Sequence, residues 1–301
     1  QEIINQIQKS LKNSSLYQHS YSSIDRKSPG TEIESIDGRL LDRAGDEPDD
    51  EDLQEINEAP DYPRGNVYGE ALHQVLEELD FVRIGGLTFE KAQEDSELRD
   101  LITNKFLSQG LPIGNHPNWM TRTVEIVWNT MNASLPEIHG AQKTGNVFSL
   151  KTLDFPSRLA EMEFHMDVNK EDCADKPMTF CKGFMDLVFV IEKNGKEYYS
   201  VLDWKSNLLQ KYDAESTFEA AKTHYSIQMT LYSYCLIMWL CSIKGKEPAT
   251  VFNEHFGGIY YVFARGCQAD KNSGIFAHTW ESFEELEKAY TTVKNLMYAK
   301  G

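Results

Sequence analysis

The sequence predicts an α/β or α+β domain in which layers of helices enclose one central β-sheet. Three observations support this prediction. Amphipathic helical patterns begin at residue 66, strand patterns follow between residues 158 and 205, and a helix, a strand and a final helix complete the chain. Helices before and after a run of strands are typical of a sheet covered by helices.

Residues 1–65 show no sustained hydrophobic periodicity. The stretch from Asp46 to Asp61 holds nine acidic residues and no lysine or arginine. Like charges extend such a chain, and its low apolar content does not offset the entropy of ordering it. We predict an acidic, largely irregular lead-in over residues 1–65, with a short helix in "EIINQIQKSLKN", and a folded domain over residues 66–301.

Amphipathic helices are predicted first in the folded part. In "NVYGEALHQVLEELDF", apolar side chains at Tyr68, Leu72, Leu76 and Leu79 share one helix face. The next two predicted helices lie in "TFEKAQEDSELRDLITNKFLSQG" and "NWMTRTVEIVWNTMNA".

Strands are predicted in the middle of the chain. "RLAEMEFHMDV" alternates as a strand, and "GFMDLVFVIEKNGKEYYSVLDWKSN" has the pattern of a β-hairpin. The rest of the chain predicts one long helix or a pair of helices, then a strand and a closing helix, in "STFEAAKTHYSIQMTLYSYCLIMWLCSIKG", "FGGIYYVFARG" and "ESFEELEKAYTTVKNLMYAK".

The composition argues against several classes of protein. The 301 residues are 41% hydrophobic and 26% charged, as in soluble globular domains. No apolar run approaches the ~20 residues that span a bilayer, so we expect no membrane association. The five cysteines include no C-x-x-C pair, which favours a reduced, cytosolic protein without a zinc or iron–sulfur site.

The net charge is −17, which disfavours a broad nucleic-acid-binding surface. Any grip on DNA would therefore come from a local channel, a metal ion or a partner subunit. The chain begins at Gln1 rather than at a methionine, and we expect it to be part of a longer protein.

An Asn-Gly dipeptide divides the hairpin. The pair Asn194–Gly195 suits a type I′ turn, which requires positive φ at both central residues. If these two residues form the loop, Lys193 pairs with Lys196, and the register of both arms is fixed.

Each arm of the hairpin carries one aspartate within an apolar run. The predicted register places Asp186 directly opposite Asp203, with Cβ atoms roughly 4.5–5.5 Å apart, and Lys205 on the same face. Opposed carboxylates in a low-dielectric strand pair require a proton or a cation between them. Two hard oxygen ligands suit Mg²⁺. The alternative is a salt bridge from Lys205 to Asp203 in a half-exposed strand, although apolar neighbours on both faces favour a buried site.

An aspartate on one strand, followed by Asp-x-Lys on the next, resembles the signature of the PD-(D/E)xK nuclease superfamily. The stretches "GFMDLVF", "VLDWKSN", "HYSIQMTLY" and "HFGGIYYVFARG" resemble more specifically its RecB-type nuclease domains, over about residues 64–280. The resemblance implies an α/β, restriction-endonuclease-like core, with a central mixed β-sheet flanked by helices. It also implies Mg²⁺-dependent hydrolysis of DNA, with Mn²⁺ able to substitute.

The resemblance assigns metal binding to three residues. His73 in "GEALH" matches the family's metal-binding histidine, and Asp186 and Asp203 match its metal-binding carboxylates. Without the resemblance, His73 would be interpreted as a partly buried helix histidine paired with Glu77.

The resemblance assigns catalysis to Asp186 and Asp203 and to two further residues. Lys205 matches the catalytic lysine, which orients or helps to deprotonate water and stabilises charge on the phosphate. Glu161 in "EMEF" matches an additional acid, with Glu163 on the same strand face as the alternative.

Four residues are assigned to substrate binding. Gln228 and Tyr232 match the family's Q-x-x-x-Y motif and share a helix face with Tyr225, where they would bond a phosphate or stack on a base. Packing of this helix on the sheet is the alternative. Arg265 is assigned a phosphate contact, with a surface salt bridge as the alternative.

The sequence departs from the family's pattern at two named positions. Met185 stands where the superfamily's name has proline, and Trp204 stands where tyrosine is usual. No G-x-x-x-x-G-K-[ST] motif is present, so any ATP-driven motor would lie elsewhere in a parent chain.

The resemblance implies the nuclease domain of an exodeoxyribonuclease V beta subunit, which acts in double-strand-break repair and recombination in the bacterial cytoplasm. Its implied partners are DNA strands delivered by a helicase, the gamma and alpha subunits (RecC-like and RecD-like) and the recombinase RecA. Two alternatives stay open: a stand-alone RecB-like nuclease, and a non-catalytic module that docks on the gamma subunit or the recombinase.

Overall fold

A computed structural model of the chain describes residues 17–20, 62–167 and 179–299. Most of the predicted lead-in, including the short helix predicted in residues 2–13, lies outside the described residues. The strand Tyr17–Ser20 falls within the stretch that was predicted to be largely irregular.

The described residues form helices and strands that alternate along the chain. The helices are α1 (Gly65–Glu78), α2 (Phe81–Gly85), α3 (Phe89–Glu94), α4 (Ser96–Ser108), α5 (Pro117–Asn132), α6 (Ala214–His224), α7 (Ser226–Lys244), α8 (Pro248–His255) and α9 (Phe283–Ala299). The strands are β1 (Tyr17–Ser20), β2 (Leu135–His139), β3 (Gln142–Phe148), β4 (Arg158–Asp167), β5 (Thr179–Lys193), β6 (Lys196–Lys205), β7 (Phe256–Phe263) and β8 (Ile275–His278).

Six of the described strands form one mixed sheet. Its order is β1-β5-β6-β7-β8, with β4 also paired to β5, while β2 and β3 form a separate hairpin. β1 pairs with β5 and β6 with β7 in parallel, and the other pairs are antiparallel. The predicted α/β fold with a central mixed sheet flanked by helices is confirmed.

Helices cover both faces of this sheet. α1 to α5 pack on one face, where Leu202 and Trp204 of β6 point. α6 to α9 pack on the other face, where Val201 and Tyr261 point. Strands buried on both faces are apolar at nearly every position, which explains the aromatic-rich runs in β5, β6 and β7.

The hairpin turn has the predicted geometry. Asn194 and Gly195 have φ values of 52° and 72°, both in the left-handed region that a type I′ turn needs. Lys193 pairs with Lys196, and the ladder continues in register to Leu187 and Leu202. Asp186 and Asp203 are therefore the next pair beyond the last ladder pair, as the sequence predicted.

Several elements differ from the sequence prediction. The second predicted helix is split at Asp95, whose side chain accepts a hydrogen bond from the Leu98 amide and so begins α4. The long apolar stretch is a pair of helices that meet at Tyr225. The prediction missed α8, β8 and the β2–β3 hairpin. β3 is exposed along almost its whole length and so lacks the alternating apolar pattern of a strand.

Helix α7 is long and apolar enough, by length and composition alone, to cross a membrane. More than half of its apolar window, 56%, is buried inside the domain. It packs against the sheet and against α9, which is how the central helix of a layered domain is buried.

The turn predicts a substitution effect that arises from the backbone alone. A Cβ on Gly195 meets no atom within 4 Å, but the residue has positive φ. We expect Gly195→Ala to lower the free energy of unfolding by about 1 kcal/mol. Urea unfolding followed by circular dichroism measures this change.

Gly114→Ala is the matched control, because Gly114 is equally open and lies in the short helix Ile113–Asn115 without positive φ. It should leave stability unchanged or raise it slightly. Equal losses in both variants would show that φ at the turn is not the cause.

Candidate active site

Four of the predicted site residues come from three elements that meet near the end of β6. Asp186 lies on β5, Asp203 and Lys205 end β6, and His73 lies on α1. The helix α1 crosses so close to the strand end that a Cβ on Gly69 would lie 2.6 Å from the Oγ atom of Ser206. Glycine therefore permits the approach that brings His73 to the strands.

Asp203 is buried, with 3% of its surface exposed. Its Oδ2 atom lies 2.8 Å from the Lys205 ammonium, and its Oδ1 atom accepts a hydrogen bond of 2.9 Å from the Gln228 amide. The pKa of Asp203 is raised to about 6, mainly by burial and also by the charge of Asp186, while Lys205 and His73 lower it. The fold therefore holds this carboxylate at a substantial solvation cost.

Lys205 is held from several sides. Besides Asp203, its Nζ atom contacts Oε1 of Gln228 at 3.3 Å and lies 3.7 Å from the centre of the Tyr225 ring. Burial lowers the pKa of Lys205, but the carboxylates of Asp203 and Asp186 more than offset this, and the pKa is raised above its usual value. The side chain therefore carries a positive charge at neutral pH.

Asp186 joins the second strand to α1. Its Oδ2 atom accepts a hydrogen bond of 2.9 Å from the Trp204 amide and lies 3.4 Å from Nδ1 of His73. Met185 and Val188 both pack in the same core cluster, although strict alternation would place them on opposite faces. The alternation of β5 therefore breaks between these two residues, where Asp186 lies.

Of the three predicted metal ligands, Asp186 pairs with His73, whereas Asp203 pairs with Lys205. Among the described residues there is no ready-made group of three or more His, Cys, Asp or Glu side chains arranged to hold a metal ion. The donors nevertheless fit a divalent cation, since the charge of Asp186 raises the cost of ionising the buried Asp203 and an imidazole adjoins Asp186.

The register separates the two glutamates of β4. Ala160 pairs with Leu187 and Met162 with Met185, so Glu161 lies across from Asp186. Glu161 has a φ of 51°, which is rare for a residue with a side chain and marks local backbone strain. Glu163 instead forms an ion pair of 2.6 Å with Lys182. Of the two, Glu161 is the one whose backbone lies across from Asp186.

The structure changes the interpretation of the Q-x-x-x-Y residues. All three residues are buried, since Gln228, Tyr232 and Tyr225 are 3%, 1% and 1% exposed. The two tyrosine rings are therefore not available to stack on a base. Gln228 donates to Asp203 and to the Tyr232 hydroxyl, and that hydroxyl donates to the carbonyl of Phe184. These residues hold the carboxylate in place.

The surface position assumed for Arg265 is wrong. The residue is 4% exposed, and its guanidinium donates to the carbonyls of Ser206 and Pro63, each at 2.8 Å. It also lies 4.0 Å from the centre of the Tyr68 ring. Arg265 therefore ties the residue after Lys205 to the chain that enters α1.

Asn207 is a residue that the sequence analysis missed. It is 8% exposed, and its Oδ1 atom accepts a hydrogen bond of 2.9 Å from the Tyr225 hydroxyl. Its position two residues after Lys205 was the available signal, but spacing does not reveal which aromatic ring folds back onto it.

Comparison with known proteins gives a family and several relatives. A family model of the PD-(D/E)XK nuclease superfamily matches residues 50–297. The chain is 28% identical over 230 residues to RecBCD enzyme subunit RecB of Escherichia coli K12, a match that covers 71% of this chain and 18% of that protein. RecBCD enzyme subunit RecB of Haemophilus influenzae is 25% identical over 234 residues, which cover 72% of this chain and 17% of that protein.

A third relative matches a shorter part of the chain. RecBCD enzyme subunit RecB of Buchnera aphidicola subsp. Schizaphis graminum is 38% identical over 90 residues, 28% of this chain and 7% of that protein. The chain therefore spans at most 18% of the length of these three relatives.

The strain at Glu161 predicts that two substitutions there differ in stability but not in activity. Glycine accepts positive φ and alanine does not, so Glu161→Gly should be more stable than Glu161→Ala by about 1 kcal/mol in urea unfolding. Both variants lack the carboxylate. If that group acts at the site, both lose the same amount of activity. A Gly variant less stable than the Ala variant would contradict the strained conformation.

Proposed function

Because the chain belongs to the PD-(D/E)XK nuclease superfamily, we propose that it is a divalent-cation-dependent DNA nuclease domain of the exodeoxyribonuclease V, or RecBCD, type. It would hydrolyse phosphodiester bonds during double-strand-break repair and recombination. The observation that carries the proposal is the burial of Asp203 against Lys205, next to Asp186 and His73. Such a costly arrangement of charges is typical of catalytic sites.

The cation would be held by His73, Asp186 and Asp203. Mg²⁺ suits the two carboxylates, and Mn²⁺ would substitute. A bound cation supplies positive charge beside the phosphate and activates water for attack. The same charge would lower the pKa of Asp203, which burial otherwise raises to about 6.

Lys205 acts as a charge and a hydrogen-bond donor in this proposal. Its raised pKa keeps the ammonium protonated at neutral pH, which argues against the role of general base. The side chain is 11% exposed, so one side of the ammonium can face a phosphate. There it would stabilise the negative charge that grows on the phosphate oxygens during hydrolysis.

Gln228 and Tyr232 fix the orientation of the Asp203 carboxylate. The Gln228 amide holds Oδ1 of Asp203, and the Tyr232 hydroxyl connects that amide to the backbone of β5. A carboxylate fixed from one side keeps its orientation when its other contacts change, which is the kind of preorganisation that catalysis requires.

In this proposal, partner subunits provide the DNA binding that the negative charge of the chain disfavours. With a net charge of −17, the domain would depend on other subunits for most of its grip on DNA. Similarity to RecB supports DNA and the partners of a RecBCD-type complex in general. We further propose that a helicase delivers the DNA strands, that the partners are gamma and alpha subunits of the RecC and RecD type and the recombinase RecA, and that the complex acts in the bacterial cytoplasm.

Cleavage of labelled single-stranded DNA in Mg²⁺, and separately in Mn²⁺, tests the proposal directly. Asp203→Asn should lower the rate by at least about 100-fold, because it removes a charge at the reacting centre. Glu197→Gln is the control. It makes the same change of chemical group on β6, but at the far end, where Glu197 pairs with Lys244.

The outcomes of this experiment separate two errors. If Asp203→Asn cuts as fast as the unchanged chain, the site assignment is wrong. If the unchanged chain cuts nothing at high concentration in either metal, the nuclease proposal is wrong and a docking role gains support.

Cation binding should depend on pH because of Asp203. With a pKa raised to about 6, this carboxylate loses its charge as pH falls from 8 to 5, and the proton competes with the metal. We expect Mn²⁺ to bind about tenfold more weakly at pH 5 than at pH 8, where Asp203 carries its full charge. Isothermal titration calorimetry measures this, and an affinity that stays constant over the range would contradict it.

A further inference from the structure

Resting on the proposed function, we propose that Tyr225 is a positioning residue that holds the Lys205 ammonium in place, and that Asn207 positions Tyr225 in turn. Neither residue would contact DNA. The proposal replaces the substrate-binding role that the sequence assigned to Tyr225.

The contact between lysine and ring is direct. The Nζ atom of Lys205 lies 3.7 Å from the centre of the Tyr225 ring and 5.4 Å from that of Tyr261. Tyr225 is 1% exposed, so its ring face is turned to the ammonium and closed to a base. A cation over an aromatic face away from water is held more strongly than the same contact at the surface.

The backbone fixes where the ring stands. Tyr225 is the residue at which α6 ends and α7 begins, with φ −122° and ψ 12°. Its amide donates to the Ala221 carbonyl at 2.9 Å, and its carbonyl accepts from the Met229 amide at 2.8 Å. The break between the two helices therefore places the ring beside Lys205, with the Tyr225 backbone bonded to the last turn of α6 and the first turn of α7.

The hydroxyl end of the Tyr225 ring is fixed by the loop after β6. The Tyr225 hydroxyl donates to Oδ1 of Asn207, and the Asn207 carbonyl accepts from the Tyr212 hydroxyl at 3.1 Å. The ring of Tyr212 occupies the space beside Gly266, where a Cβ would come within 2.0 Å of it. A continuous set of contacts thus runs from the end of β7 to the lysine.

Lys205 needs these contacts because its side chain is flexible. A lysine has several rotatable bonds and loses up to about 2 kcal/mol of rotamer entropy when it is fixed. Asp203 and Gln228 attract the ammonium through single oxygen atoms, at 2.8 Å and 3.3 Å. The Tyr225 ring adds a third contact, 3.7 Å from Nζ to the ring centre, which restricts the ammonium further.

Steady-state cleavage of single-stranded DNA separates positioning from substrate binding. Tyr225→Leu removes the ring, and we expect kcat to fall by about 100-fold with KM little changed, as for misplaced catalytic groups. Tyr225→Phe keeps the ring and loses the hydrogen bond, so kcat should fall only about fivefold. Tyr234→Leu, on α7 and stacked on Tyr290, is the control and should keep the activity.

A double substitution tests the part played by Asn207. Asn207→Ala should match Tyr225→Phe, and the two changes together should cost no more than either alone, since they remove the same bond. Fully additive losses would overturn the role of Asn207. A raised KM with unchanged kcat in Tyr225→Leu would overturn positioning and indicate contact with DNA.

An NMR readout that needs no activity tests the contact itself. In the full chain with ¹³C-labelled lysine, the Cε protons of Lys205, assigned with Lys205→Arg, should be shifted upfield by the ring. The shift should persist in Tyr225→Phe and vanish in Tyr225→Leu. An ordinary shift in the unchanged chain would overturn the proposal. Lack of cleavage together with the expected shift would instead count against the nuclease function alone.

Discussion

An aspartate and a lysine buried together at a strand end lose most of their contacts with water, and the surrounding protein must replace those contacts. Asp203 and Lys205 replace part of them by their ion pair of 2.8 Å. Buried pairs of this kind seldom add net stability, and removal of one partner leaves an uncompensated charge. The Gln228 amide and the Tyr225 ring supply the remaining contacts. The helix break at Tyr225 and the position of α7 are consistent with this requirement.

A second buried cation lies close by and is stabilised differently. Arg265 donates to the carbonyls of Ser206 and Pro63 and stacks on Tyr68. A guanidinium can satisfy several carbonyls at fixed angles, whereas an ammonium is a compact point charge. The arginine therefore suits a structural junction between β6 and α1, and the lysine suits a place where one face must remain available to a substrate.

The sequence predicted those features that depend on local rules. Positive φ at Asn194 and Gly195 set the register, and the register brought Asp186 next to Asp203 without any tertiary information. The burial of Tyr225 and Arg265 could not be predicted in this way. An aromatic or basic residue on a helix or a loop has the same local pattern whether it faces solvent or a neighbouring layer, and only the packing of α1 and α7 on the sheet decides.

The irregular features of the sheet lie at one level across three strands. The ladder between β5 and β6 ends at Leu187 and Leu202, the alternation of β5 breaks near Asp186, and Glu161 adopts positive φ opposite it. A fully regular sheet would continue to pair backbone groups there. Instead, the Trp204 amide donates to the carboxylate of Asp186. Strain of this kind persists only where surrounding contacts impose it. Regular strand pairing therefore ends at the part of the sheet where the carboxylates of Asp186 and Asp203 are oriented.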